Sequence, residues 1–179
     1  MLELCKVWLG DTSTVLVLSD SVKDYFLNPQ DGNILKEMTM EKVDYNNPLA
    51  HSSACNLAIT TRWGASLQML NPATFEKKWE VKSETKNPTG DDRGFNAPVL
   101  ADMNDDGVDD IVLVDCWAFI LSVFDGKNGK QIWKANMARK EYKSDLKKKL
   151  GGDLVITPPC VVDINGNGEK DVVIGTFGG

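Results

Sequence analysis

The sequence predicts an all-β chain: a β-propeller of four-stranded antiparallel blades, about three and a half of them, with one short helical insertion. Three observations predict it. Short apolar or β-branched runs alternate with clusters of Gly, Asn, Asp or Pro. A hairpin-like turn sequence recurs three times. An acidic loop recurs twice, each copy set between two apolar segments.

Size and charge set the frame. A chain of 179 residues has the length of a single domain and enough chain to bury a core. Twenty-six acidic against 20 basic side chains give a formal charge of −6, the wrong sign for a protein whose main partner is a nucleic-acid backbone. Hydrophobic residues at 42% and charged residues at 26% describe a globular chain, not a disordered one. No apolar run reaches the length of a membrane span, and residues 1–6 lack the charged and apolar regions of a secretory signal.

Strands are read at residues 15–18, 58–61, 111–114, 120–124, 154–156 and 172–176. One helix is read over about 138–150, where Tyr142, Leu146 and Leu150 form a stripe and Gly151-Gly152 supplies a stop. The basic residues of that segment (Arg139, Lys140, Lys143, Lys147, Lys148, Lys149) read as a solvated helix face.

The turn repeat begins at Asn28, Asn71 and Asp125, each after an apolar residue (Leu27, Leu70, Phe124). Asn or Asp opens such a hairpin by accepting from its own downstream backbone, and Gly near the end accepts positive φ. Trp79 and Trp133 fall eight residues after the opening residue of the second and third copies, whereas the first copy has Lys36 there. The spacings of 43 and 54 residues are those of four-stranded blades. Blade-like units are thus expected at about 1–46, 47–92, 93–150 and 151–179 of one domain. Trp8, Trp63, Trp79, Trp117 and Trp133 are expected to pack blades together.

The acidic loops start at Asp102 and Asp163, 61 residues apart. Both follow the pattern D-x-N-x-[DN]-G-x-x-D. Hard oxygen ligands at positions one, three, five and nine, a backbone carbonyl at seven and a Gly at six suit Ca²⁺. Loop one would supply Asp102, Asn104, Asp106, the Val108 carbonyl and Asp110. Loop two would supply Asp163, Asn165, Asn167, the Glu169 carbonyl and Asp171. Three carboxylates against two rank loop one as the tighter site. An EF-hand is excluded: position twelve is Leu113 or Ile174 rather than Glu, and strands flank both loops. The metal-free alternative is a pair of ordinary Asx turns.

These loops and their flanks, from Ala97-Pro98-Val99-Leu100 to Asp110-Ile111-Val112 and from Pro159 to Asp171-Val172-Val173-Ile174-Gly175, resemble the FG-GAP (or VCBS) repeat of integrin α-subunit propellers. The turns with a trailing Trp, above all Asp125-x-x-Asn128-Gly129-Lys130-x-x-Trp133, resemble quinoprotein (PQQ-like) blade turns. The resemblance implies a propeller with calcium in the loop between the first two strands of a blade. The first two units depart from it, having no such loop. It further implies a protein or glycan ligand, a role in cell-surface adhesion or scaffolding, and an extracellular or cell-surface setting. About three and a half units would leave open edges near residues 2–8 and 172–176, so further blades from the same parent chain or a partner are expected.

Catalysis finds little support. His51, the only histidine, sits in a polar stretch without a nucleophile motif, and no P-loop, G-x-S-x-G or G-x-G-x-x-G is present. The expectation is a non-enzymatic calcium-binding module. The alternative is part of a propeller enzyme, such as a quinoprotein dehydrogenase or polysaccharide lyase, with its active site outside this segment. Cys5, Cys55, Cys116 and Cys160 form no C-x-x-C pair, and spacing does not choose among three possible pairings. Cys116 and Cys160, beside apolar runs, are expected to be buried thiols.

Overall fold

The computed structural model describes residues 2–3, 16–19, 23–39, 49–51, 57–61, 66–71, 74, 76–82, 98–115, 120–137 and 158–175. Every regular element among them is a strand. The first sheet contains β1 (Leu2–Glu3), β2 (Leu16–Ser19), β3 (Lys23–Leu27) and β4 (Ile34–Thr39). The second contains β5 (Leu49–His51), β6 (Leu57–Thr61), β7 (Ser66–Leu70) and β8 (Lys77–Lys82). The third contains β9 (Val99–Ala101), β10 (Asp110–Asp115), β11 (Ile120–Phe124) and β12 (Gln131–Asn136). A pair, β13 (Cys160–Val162) and β14 (Asp171–Val173), follows. Each sheet is an antiparallel meander in which sequence neighbours are also hydrogen-bonded neighbours.

The turn repeat is visible in atomic detail. The register shifts at Phe26/Leu27, at Met69/Leu70 and at Val123/Phe124, always at the last step before the turn. In the first and third copies the amides of Gly32 and Gly129 donate to the carbonyls of Asn28 and Asp125, both at 2.8 Å. Both glycines have φ +73°, a region that costs other L-residues about 1–2 kcal/mol. The opening side chains act as expected: Asn28 Oδ1 accepts from the Gln30 amide and Asp125 Oδ1 from the Lys127 amide.

Two apolar layers hold the sheets together, and the pleat explains both. Along β10, which is buried throughout, Ile111 and Leu113 face one way and Val112 and Val114 the other. Ile111, Leu113 and Phe124 pack on Leu67 and Met69 of the second sheet, with Trp79, Val81 and Leu100 at the margin. Val112, Val114, Leu121 and Val123 pack with Val99, Met103 and Trp133 against Val161, Val172 and Ile174 of the last pair. The third sheet is therefore enclosed on both faces.

Several expectations change. The last strand is Asp171–Val173, shorter than residues 172–176, with Ile174 beyond it still packed inward. His51 lies in β5 rather than in a linker, because Leu49–His51 pairs with Leu57–Ile59. Cys160 is exposed, not buried: pairing with Val173 turns it onto the outer face of the last pair. The helix expected over 138–150, the strand at 154–156, Cys5, Cys55, Cys116, Trp8, Trp63 and Trp117 lie outside the described residues. No helix among the described residues is long and apolar enough to cross a membrane.

Candidate functional site

Loop one joins β9 to β10, and loop two joins β13 to β14. The short strands at either side bring positions one and nine of each loop together, since Ala101 pairs with Asp110 and Val162 with Asp171. The loop between must then reverse within eight residues. It does so by folding its amides onto its own side-chain oxygens.

In loop one, Asp102 Oδ1 accepts from the Asp106 amide at 3.0 Å and Oδ2 from the Gly107 amide at 2.9 Å. Asn104 Oδ1 also accepts from the Asp106 amide, and Asp106 Oδ1 from the Val108 amide. In loop two, Asp163 Oδ1 accepts from Gly166 at 2.7 Å and from Asn167 at 3.1 Å, and Oδ2 accepts from Gly168 at 2.7 Å. Asn165 Oδ1 accepts from the Asn167 amide, and Asn167 Oδ1 from the Glu169 amide. The two frameworks are the same framework. Gly107 and Gly168, at position six, have φ +81° and +88°, so the glycine in the motif is a conformational requirement.

Position nine has a different task. Asp110 is fully buried, with Oδ2 accepting from the Met103 amide at 2.9 Å and Oδ1 from the Gly126 amide at 3.0 Å. It ties loop one to the turn between β11 and β12. Asp171 Oδ2 accepts from the Ile164 amide at 3.0 Å in the same way. Burial pushes the Asp110 carboxyl above its ordinary range, and the two amides only partly counter that.

Two lysines complete the arrangement. Lys127, in the β11–β12 turn, places Nζ 2.9 Å from Asp106 Oδ2 and 3.4 Å from the Asp106 carbonyl. The ammonium holds Asp106 below the usual carboxylate range, and Asp106 in turn raises Lys127. Lys170 of loop two donates to the Asp102 carbonyl and lies 3.5 Å from Asp105 Oδ1. Partial desolvation raises Asp102, but the Gly107 and Asp106 amides and the Lys170 charge outweigh it, leaving the group lowered. Asp163 is lowered chiefly by the Gly168 amide.

The motif reading identified the loop acids and missed both lysines. Lys127 and Lys170 lie 21 and 65 residues from the acids they meet; strand pairing within the third sheet brings the first there, and the stacking of the last pair on that sheet brings the second.

The donor set is carboxylate, amide and carbonyl oxygen, the chemistry that hard cations take. Among the described residues no three His, Cys, Asp or Glu side chains converge into a metal-holding group. A calcium ion in either loop would therefore draw on the Asn side chains and a backbone carbonyl besides the acids. Each carboxylate oxygen that accepts one amide keeps a second lone pair for such a role.

No protein-family model and no curated protein sequence matches the chain. Its structure is similar to that of BamB from Moraxella catarrhalis, with a TM-score of 0.59 and 14% sequence identity. The match covers 89% of this chain and 44% of that one, so the chain spans less than half of that structure's length. At such identity the likeness concerns fold alone. Together with the three four-stranded meanders, it makes this chain all-β and of the propeller type.

Proposed function

We propose that the chain is a non-enzymatic propeller module of FG-GAP character that presents a protein- or glycan-binding surface, with loops one and two as calcium sites. The observation that carries this is the repeated loop framework, in which corresponding side chains accept from corresponding amides 61 residues apart. Turn formation alone does not require carboxylate, carboxamide and glycine at the same five positions twice.

In this reading Asp102, Asn104, Asp106, Asp110 and the Val108 carbonyl hold one ion. Asp163, Asn165, Asn167, Asp171 and the Glu169 carbonyl hold the other. The ion supplies positive charge that relieves repulsion among the loop acids and stiffens that end of the sheets. Oxygens already engaged by their own amides make weak calcium ligands, which suits the calcium levels outside cells and supports reading the module as an extracellular one for adhesion or scaffolding.

The experiment is binding of the purified chain to panels of immobilised glycans and extracellular-matrix proteins, in calcium and in chelator. Calcium-dependent retention that is lost in the Asp102→Ala/Asp163→Ala variant supports the reading. Retention that ignores both calcium and the variant overturns it.

A further inference from the structure

We infer that the outer face of the β13–β14 pair is a docking surface for the first sheet of a second copy of this chain. The inference starts from the 61-residue offset, which aligns the last pair with the start of the third sheet residue by residue. Cys160 corresponds to Val99, Ile164 to Met103, and Val173 to Val112. In the third sheet Val112 is fully buried, and Val99 and Met103 pack beside it under Val161, Val172 and Ile174 of the following pair. In the last pair the same positions stand in solvent: Ile164 is 65% exposed and Val173 42%, and Cys160 is exposed too. The face is built for a following sheet.

The first sheet carries the complementary face. Leu27, Leu70 and Phe124 hold equivalent places before their turns. Leu70 and Phe124 are buried, and Phe124 packs on the sheet before its own. Leu27 is only half-buried, as are Leu18 and Tyr25. Leu18 pairs with Tyr25, so these residues share one side of the sheet. That side is the one a preceding sheet covers elsewhere in the chain.

Joining the last face of one copy to the first face of another therefore repeats an interface the chain already makes with itself twice. The contact is heterologous, so it must close into a ring or grow without limit. Two copies bring eight sheets together, counting the β13–β14 pair as one, at the upper end of the four to eight blades with which propellers close. The similar BamB structure extends over more than twice the matched length, which gives room for that many. A closed dimer is the expected state.

The test is sedimentation velocity and light scattering on the purified chain, on Ile164→Lys/Val173→Lys, and on Leu27→Lys. Ile164 and Val173 are exposed and Leu27 is half-buried, and circular dichroism with a melting curve verifies folding. The unaltered chain should be a dimer, and each variant alone a monomer. A one-to-one mixture of the variants should recover dimer, because it restores one intact pair of faces. The inference is overturned by an unaltered chain that stays monomeric, as when a further segment or another protein normally fills the face. It is equally overturned by either variant dimerising alone, or by a mixture that stays monomeric.

Discussion

Trp79 donates its indole N–H to the carbonyl of Gly126 at 3.2 Å, reaching from the outer strand of the second sheet to the turn of the third. Its ring lies against Gly129, where an added Cβ would come within 2.8 Å of the indole. The turn repeat thus makes a hairpin and also receives the Trp of the preceding sheet.

Gly129→Ala should destabilise the fold by about 2 kcal/mol, since it combines a φ of +73° with the clash against Trp79. Gly107→Ala has open space around its Cβ and should cost only the conformational part, about 1 kcal/mol. Gly126→Ala should be the worst, because its Cβ would fall 2.0 Å from the Asp109 carbonyl oxygen, a backbone atom that cannot turn away. Denaturant unfolding of the three variants checks this order.

Asp110→Ala should cost about 2–5 kcal/mol, because it strands the amides of Met103 and Gly126 in a buried setting. Asp110→Asn should recover only part of that, having one carbonyl oxygen for two donors. Calorimetric melting of both variants without calcium reads the structural share alone. Equal stability of Asp110→Asn and the unaltered chain would contradict the two-bond account.

Calcium should raise the melting temperature relative to chelator, with a gain of about 2.7 kcal/mol at a hundredfold excess over Kd. Lys127 competes for Asp106 in loop one, so the charge count alone does not set the ranking of the two loops. Lys127→Met should increase the calcium affinity of loop one several-fold and leave loop two unchanged. Isothermal titration of Lys127→Met in an Asp163→Ala background isolates the effect, and an unchanged affinity would remove Asp106 from the ligand set.

Acid should weaken the chain through the loops. Asp102, Asp106 and Asp163 are all held below their ordinary range in the fold, so their stabilising contribution is complete above about pH 4 and fades as pH falls through the folded values. Asp110 runs the other way: its raised value means that protonation favours the fold, which softens the decline. Urea midpoints between about pH 2 and 7 should fall at the acid end, and less steeply in Asp163→Asn.

Much of this was legible in the residues. Strand β10 is buried on both faces and reads as a continuous apolar run, and the loops announce themselves by Asp, Asn and Gly at fixed offsets. Strands β4, β8 and β12 do not, since Ile34–Thr39, Lys77–Lys82 and Gln131–Asn136 are outer strands in which Lys, Glu, Gln, Asn or Thr interrupt the apolar residues. Their place was signalled by the turn before them and by the Trp within two of them. The site was legible only as a list of oxygens. That Asp110 also ties the loop to the β11–β12 turn was not legible, because its two amide partners come from the chain seven residues before it and 16 after it.

The enclosure of the third sheet has a consequence for how the chain comes apart. Sheets that touch only their neighbours behave as a one-dimensional array, in which stability is a sum of each unit's own worth and the couplings on either side. The third sheet has two couplings, through the clusters around Ile111 and around Val112. The last pair has one, through the cluster around Val112. Breathing should therefore begin at the two extremities and travel inward, with the amides of β10 and β11 the last to exchange. A partner that caps either extremity would slow exchange far inside the chain without touching the residues it protects.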